Sequence, residues 1–169
     1  MAEAPITVRT RRKPAASGAM RWPAKASPAW FVTLFSMPAT ARVEVAKRGV
    51  PATFVSQLAQ ATGESKARMV SLLGLSRATV DRKARDKQAL SVVEGERVIG
   101  FAKLVGHVQT LVNESGDAQG FDAARWLAQW LERPVPALGG RLPAEYMDTA
   151  EGQQIVAGLL ERTRGGAYA

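Results

Sequence analysis

The feature that most restricts the fold of this chain is a long apolar helical pattern from Ser91 to Asn113. Within it, apolar side chains recur every seven residues, which is close to two helical turns: Val98, Val105 and Val112, then Phe101 and Val108, then Leu104 and Leu111. This spacing predicts one continuous helix with a wide apolar face. Because the face is wider than one neighbouring helix would cover, we expect a second copy of the chain to pack on it and form a homodimer.

The chain from Pro28 onward shows further helical periods, interrupted by residues that end helices. Pro38, Gly49 and Gly63 each follow an apolar helical stretch. No segment shows the alternation of a β-strand. Hydrophobic residues make up 46% of the chain, which is enough to bury a core. We therefore predict an all-α helical bundle, with helices near residues 28–37, 42–48, 51–62, 66–73, 77–87, 91–113, 121–132 and 148–164.

Side chains that enzymes use for chemistry are scarce in this sequence. The chain has no cysteine, which excludes disulfides and thiolate metal sites, and His107 is its only histidine. His107 lies in an apolar helical stretch, where a packed structural histidine is the simpler interpretation. We predict no enzymatic activity, no cofactor and no metal. The chain also lacks an apolar run of about 18 residues and a signal segment, so we expect a cytoplasmic protein with no membrane partner.

The net charge of +8 is concentrated in two blocks of the N-terminal half. Residues 1–26 carry six basic residues and one acidic residue, and residues 65–90 carry seven basic and two acidic residues. Residues 91–169 are mildly acidic, with seven basic and ten acidic residues. Basic surfaces of this kind attract polyanions such as DNA. Residues 1–26 have no apolar period, so we predict a disordered basic arm, which either follows DNA phosphates or serves as a solubilising extension.

The segment from Ser65 to Gln88 has the layout of a helix-turn-helix. Val70 and Val80 are aliphatic positions at which two short helices would meet, and Gly74 lies at the turn, where a left-handed backbone is tolerated. Ser76 is a favourable N-cap residue for the second helix. The spacing therefore predicts two helices joined by a tight turn.

The second helix of this motif is basic and has little to bury except Val80. Its early positions would then reach base edges in the major groove, where Arg77 and Arg82 suit guanine, and its flanks would reach phosphates. The alternative is a basic, solvent-exposed helix in a plain bundle. The predicted DNA-binding residues are Lys66, Ser76, Arg77, Thr79, Arg82, Lys83 and Arg85.

Two segments of the chain resemble one family of known proteins. Residues 72–83, LLGLSRATVDRK, resemble the helix-turn-helix of Xre-like antitoxins. Residues 125–169 resemble the C-terminal domain of the Xre/MbcA/ParS group of antitoxins. They contain a Trp-Leu helix, the loop ALGGRLP, an MDT element, an amphipathic helix and a Gly-x-Tyr tip, in that order. The resemblance covers about residues 51–169.

This resemblance implies a division of function along the chain. It implies a DNA-binding domain over 27–90 and a helical dimerisation and toxin-binding domain over 91–169. The implied partner is a RES-domain toxin, which degrades NAD or transfers ADP-ribose, and the tip of the antitoxin is expected to enter its active-site cleft. The residues expected to bind the toxin are Leu159, Leu160, Arg164, Gly165, Gly166, Ala167, Tyr168 and Ala169.

Two functions stay open at this point. The first is an antitoxin that neutralises a RES-domain toxin and represses its own operon by binding operator DNA as a homodimer within a larger toxin–antitoxin complex. The alternative is a stand-alone DNA-binding regulator whose C-terminal half only dimerises. A gene for a RES-domain toxin directly beside this one would favour the first function.

Overall fold

A computed structural model describes residues 21–116 and 118–164 and confirms the all-α fold. The first 20 residues of the predicted arm, Asp117 and the tip at 165–169 lie outside the described residues. The described residues contain no strand beyond two isolated bridges, Pro51 to Ala89 and Val135 to Arg141. Their eight α-helices are α1 (Pro28–Ser36), α2 (Ala39–Arg48), α3 (Phe54–Thr62), α4 (Lys66–Leu72), α5 (Arg77–Arg85), α6 (Val92–Ser115), α7 (Ala123–Leu131) and α8 (Ala150–Arg164).

Polar side chains fix where several helices begin. A side-chain oxygen accepts a hydrogen bond from a backbone N–H three residues later at Ser27, Ser65, Ser76, Ser91 and Asp122. Such a cap stabilises a helix by about 1 kcal/mol. The sequence pattern predicted that the last helix begins near residue 148. Instead, the Thr149 hydroxyl accepts from the Gly152 N–H at 3.0 Å, so α8 starts at Ala150.

The long helix α6 is the centre of the bundle, with α1, α2, α7 and α8 packed around it. Most of its apolar repeat is buried inside this one chain: Val98, Phe101, Leu104, Val105 and Val108. Only Leu111 and Val112, near its end, are half-exposed. The width of the apolar face is therefore explained by helices of the same chain, and it no longer argues for a second copy.

The buried side chains form one contiguous core, whose members come from positions between Ala26 and Leu160. It includes side chains from both sides of residue 90, the predicted domain boundary. That boundary does not separate two cores, and as a division of function it stays a prediction. None of the described helices has the length and apolar character that crossing a bilayer requires.

Helix α1 crosses α6 at very close range because α6 carries a glycine at the crossing point. A Cβ atom on Gly106 would collide with the backbone carbonyl of Phe31 and would lie 2.8 Å from the Cβ of Phe35. The crossing buries Phe31 and Leu34 against α6. Gly106 therefore sets the distance between these two helices.

The ordered body begins before residue 27. Trp22 packs against Trp30 and Phe54, with ring centroids 5.6 and 4.9 Å apart, and Ala26 is buried. The Trp30 indole N–H donates to the Arg21 carbonyl at 3.3 Å. The end of the predicted arm is thus held against α1 and α3.

Candidate nucleic-acid interface and C-terminal site

Helices α4 and α5 form the predicted helix-turn-helix. Val70, Leu73 and Val80 are buried where the two helices meet. Gly74 has a φ of +59°, the left-handed conformation that the turn was predicted to need. The Ser76 hydroxyl accepts from the Thr79 N–H at 3.4 Å and so begins α5. The turn, the anchor and the cap predicted from the sequence are all confirmed.

Helix α5 contributes one fully buried residue, Val80, to the core, and Ala84 packs against that core partly buried. Three of its cations point to solvent: Arg77, Arg82 and Arg85. Thr79 is half-buried. A helix that buries one side chain and exposes three arginines is suited to lie in the groove of a polyanion.

An acidic residue lies in the middle of this cationic helix. The Asp81 carboxylate accepts a hydrogen bond from the Lys66 ammonium at 2.6 Å and lies 3.7 Å from the Arg77 guanidinium. The hydrogen bond from Lys66 is the main reason why the pKa of Asp81 is below its ordinary value. Asp81 is therefore ionised at neutral pH and offsets the charge of Lys66, so the net positive charge of the face comes from the arginines.

Lys83 faces α6, although the sequence suggested that it faces DNA. Its Nζ atom lies 2.9 Å from Glu94 Oε2, and the two side chains are only 16% and 19% exposed. Glu94 also accepts hydrogen bonds from the Ser91 backbone N–H and hydroxyl, both at 2.8 Å. Lys83 therefore attaches α5 to the start of α6, and this role was missed because its partner is 11 residues away.

Replacing Glu94 with glutamine is expected to reduce the stability of the fold by about 1–2 kcal/mol at neutral pH. Burial alone would raise the pKa of Glu94, but the hydrogen bonds from Ser91 and Lys83 outweigh it, and the pKa lies below its ordinary value. A carboxylate whose pKa is lowered by folding stabilises the folded state at pH values above its unfolded-state pKa of about 4.3. This stabilisation is lost as the pH falls through the folded-state pKa.

Urea unfolding at a series of pH values measures this effect. The wild type and Glu94→Gln should differ at pH 7, and the difference should shrink as the pH falls below the ordinary glutamate pKa of about 4.3. A constant difference across that range would show that the ion pair with Lys83 is not its source.

Two further residues, Arg97 and Gln153, connect this motif to the C-terminal half. The Arg97 guanidinium donates to the Leu73 and Gly74 carbonyls at 3.3 and 2.7 Å. The buried Gln153 amide donates to the Arg97 and Met147 carbonyls at 3.0 and 2.9 Å. Neither was predicted, because each acts on backbone groups that are distant in sequence.

The C-terminal half presents an aromatic groove beside α7. The rings of Trp126 and Trp130 stack with centroids 6.1 Å apart, and Phe121 lies 6.2 Å from Trp126. These rings are half-buried, so they belong to the edge of the core. The groove has a volume of about 300 Å³ and is lined by Val108, Leu111, Val112, Ser115, Phe121, Trp126 and Leu160.

Helix α8 packs its apolar side inward. Leu159 and Leu160 are both 1% exposed, so in this conformation they hold α8 in the core and are not on the surface where a partner could contact them. His107 Nε2 lies 2.6 Å from Glu161 Oε1, without the geometry of a regular hydrogen bond. The imidazole ring of His107 stacks on the ring of Phe35. The remaining predicted toxin contacts, the Arg164 side chain and residues 165–169, lie outside what the structure describes.

Two protein families match successive parts of the chain. The family described as the antitoxin Xre-like helix-turn-helix domain matches residues 41–103, which include α4 and α5. The family described as the antitoxin Xre/MbcA/ParS C-terminal toxin-binding domain matches residues 118–166, which include α7 and α8.

Two curated proteins are similar over most of the chain. The "Prs ADP-ribosylating antitoxin" of Sphingobium sp. (strain YBL2) is 40% identical over 154 residues, covering 90% of this chain and 97% of that protein. The "Antitoxin Xre" of Photorhabdus laumondii subsp. laumondii is 25% identical over 122 residues, covering 72% of this chain and 77% of that protein.

Proposed function

The chain belongs to the Xre/MbcA/ParS family of antitoxins, and from this premise we propose that it neutralises a RES-domain toxin and represses its own operon. The observation that carries this proposal is that one core holds both the arginine face of α5 and the residues 118–166, which match a toxin-binding family. A stand-alone regulator would need the C-terminal half for dimerisation alone and would give no reason for a match to a toxin-binding family.

The toxin chemistry that we propose is ADP-ribosyl transfer. The name of the Sphingobium relative pairs an antitoxin with ADP-ribosylation of Prs. A toxin of this kind holds NAD in a cleft, and the tip at 165–169 has the chemistry to enter one. Tyr168 offers a ring for stacking and a hydroxyl for hydrogen bonding, and the glycines at 165 and 166 permit a bend after α8. Arg164 would pair with an acidic group of the toxin.

Co-expression tests the proposal directly. The RES-domain toxin of the adjacent gene is induced in a host that carries either this chain or an empty vector, while growth and cellular NAD are followed. We expect growth and NAD to be maintained only with the chain, and the two proteins to purify together. If toxicity persists despite normal abundance of the chain, the alternative of a stand-alone regulator is favoured.

The operator-binding part of the proposal assigns α5 to the major groove of DNA. Homodimers match two-fold operators, so we propose a homodimer in which two copies of α5 face successive grooves, in the cytoplasm where both operator and toxin would be found. Light scattering at micromolar concentration without DNA tests the dimer, and a monomer would contradict it. Leu111→Glu is the variant that should disrupt the dimer. Leu111 is half-exposed, whereas Leu104 of the same repeat is buried, so a glutamate at Leu104 would disturb the fold itself.

Replacing Arg77 and Arg82 together with alanine is expected to weaken operator binding at least about tenfold. The dependence of log K on log salt should also become less steep, since two positive charges are removed from the face that lies against the phosphates. Thermal stability should be retained because both side chains are exposed.

The matched control is Lys47→Ala with Arg48→Ala, which removes the same charge from the exposed side of α2. Fluorescence anisotropy with a promoter fragment at several salt concentrations distinguishes the two double variants. Equal affinities and slopes for both would show that α5 is not the recognition helix.

A further inference from the structure

Gly158 differs from the other glycines that the structure describes, because no contact with a described residue accounts for it. Seven of them have a positive φ, which favours glycine: Gly49, Gly63, Gly74, Gly116, Gly120, Gly139 and Gly140. Four lie where a Cβ would collide with a neighbour: Gly95, Gly100, Gly106 and Gly152. Gly158 lies inside α8, and a Cβ there would meet no atom of residues 21–116 or 118–164 within 4 Å. Glycine is a poor helix former, so it weakens α8 without any gain in packing.

Gly158 shares its side of α8 with an exposed aliphatic residue. Positions 151, 155, 158 and 162 are spaced by four, three and four residues, so they form one helical face, and all four are exposed. Ile155 is 39% exposed and is the one large hydrophobic residue with this exposure among the described residues of 118–164. Glu151 and Arg162 flank the pair with opposite charges. The centre of the face thus combines one apolar side chain, Ile155, with the missing side chain of Gly158, and charged residues lie on either side.

We propose that Ile155 and Gly158 form a close-packed contact with the RES-domain toxin, in which the backbone of the partner approaches α8 at Gly158 while Ile155 fills an apolar pocket. This inference rests on the proposed function. A missing side chain on an exposed helix allows a partner closer than any other residue would, and an apolar centre with a charged rim is the usual composition of a binding surface.

The toxin is a better occupant of this face than a second copy of the chain for two reasons. The face lies within residues 118–166, the part matched by the toxin-binding family, whereas the other exposed hydrophobic residues, Val43, Val92 and Val93, lie outside it. In addition, α8 leads directly to the tip. Arg164 is six residues after Gly158, about 9 Å along the helix axis, so one partner can cover both.

The test is Gly158→Ala, which should raise the stability of the free chain and lower its affinity for the toxin. Alanine improves the helix and has space in the free chain, so Tm should rise by about 2–4 °C. The affinity for a catalytically inactive form of the adjacent gene's toxin, measured by calorimetry, should fall by about tenfold. Gly158→Leu should weaken binding further. Lys47→Leu, which adds a leucine to the exposed side of α2, should leave toxin affinity unchanged.

Each other outcome has a distinct meaning. If the wild-type chain does not bind the toxin, the proposed function fails. If the wild type binds and both Gly158 variants bind equally well, the face is not a toxin contact and this inference fails alone. If Gly158→Leu instead dissociates a homodimer while toxin affinity stays constant, the face belongs to the second copy and the inference is likewise wrong.

Discussion

Replacing Gly106 with alanine is expected to destabilise the protein by about 2 kcal/mol, although alanine is the better helix former by about 1 kcal/mol. The added methyl group would collide with the Phe31 carbonyl and crowd Phe35. A backbone carbonyl cannot rotate away as a flexible side chain does, so α1 must move. That movement would open the contact that buries Phe31 and Leu34, and overpacking of this kind outweighs the gain in helix propensity.

Thermal unfolding measures the effect as a fall in Tm of about 4–8 °C. Gly158→Ala is the matched control, because it makes the same substitution within a helix and there the methyl group meets open space. The two variants should shift Tm in opposite directions. A rise in Tm for Gly106→Ala would show that α1 tolerates displacement and that the crossing is not tightly constrained.

Deleting residues 165–169 is expected to abolish protection against the toxin while leaving the fold and operator binding intact. The proposed plug would be lost, but α8 would stay in place because Val156, Leu159 and Leu160 are buried and Gln153 is hydrogen-bonded to α6. Operator binding is assigned to α5, on another part of the core. In co-expression, we expect the truncated chain, at normal abundance, to leave growth as poor as the empty vector does and NAD equally depleted.

A second variant separates loss of the tip chemistry from loss of chain length. Replacing the five residues with five serines keeps the length and removes the aromatic ring of Tyr168. If Tyr168 provides the stacking contact, this variant should fail to protect as well. Full protection by the truncated chain would remove the tip from the mechanism and move the inhibitory contact to α8 itself.

The helix-turn-helix could be predicted because its signals are local. Gly74, Ser76 and Val80 act within one or two turns of their own position, so a short window of sequence contains their reason. The breadth of the α6 repeat also correctly predicted a long helix. The expectation that a second copy packs on this helix did not follow from the repeat. An apolar pattern shows that a surface is buried, but it does not show which element packs on it.

Three of the predicted site residues lie elsewhere in the structure than the sequence suggested, for the same reason. The charge of Lys83 indicated a DNA contact, but the position of Glu94 beside it depends on how α5 meets α6. The resemblance implied that Leu159 and Leu160 bind a toxin, but in the structure their apolar side chains fill the core of their own chain. Arg97 and Gln153 carry no local signal because their acceptors are main-chain carbonyls, which every residue has.

The position of Arg97 between the two halves has a consequence for regulation. Its side chain donates to the turn of the helix-turn-helix, and its own carbonyl accepts from Gln153 of α8, so the elements proposed to face the operator and the toxin meet at one residue. Two ligands that bind one body through a shared element obey reciprocity. By whatever factor a bound toxin changes the affinity for the operator, a bound operator changes the affinity for the toxin. The coupling between operator binding and toxin binding is then a single free energy, and a mutation at Arg97 that changes this coupling changes the effect of each ligand on the other by the same factor.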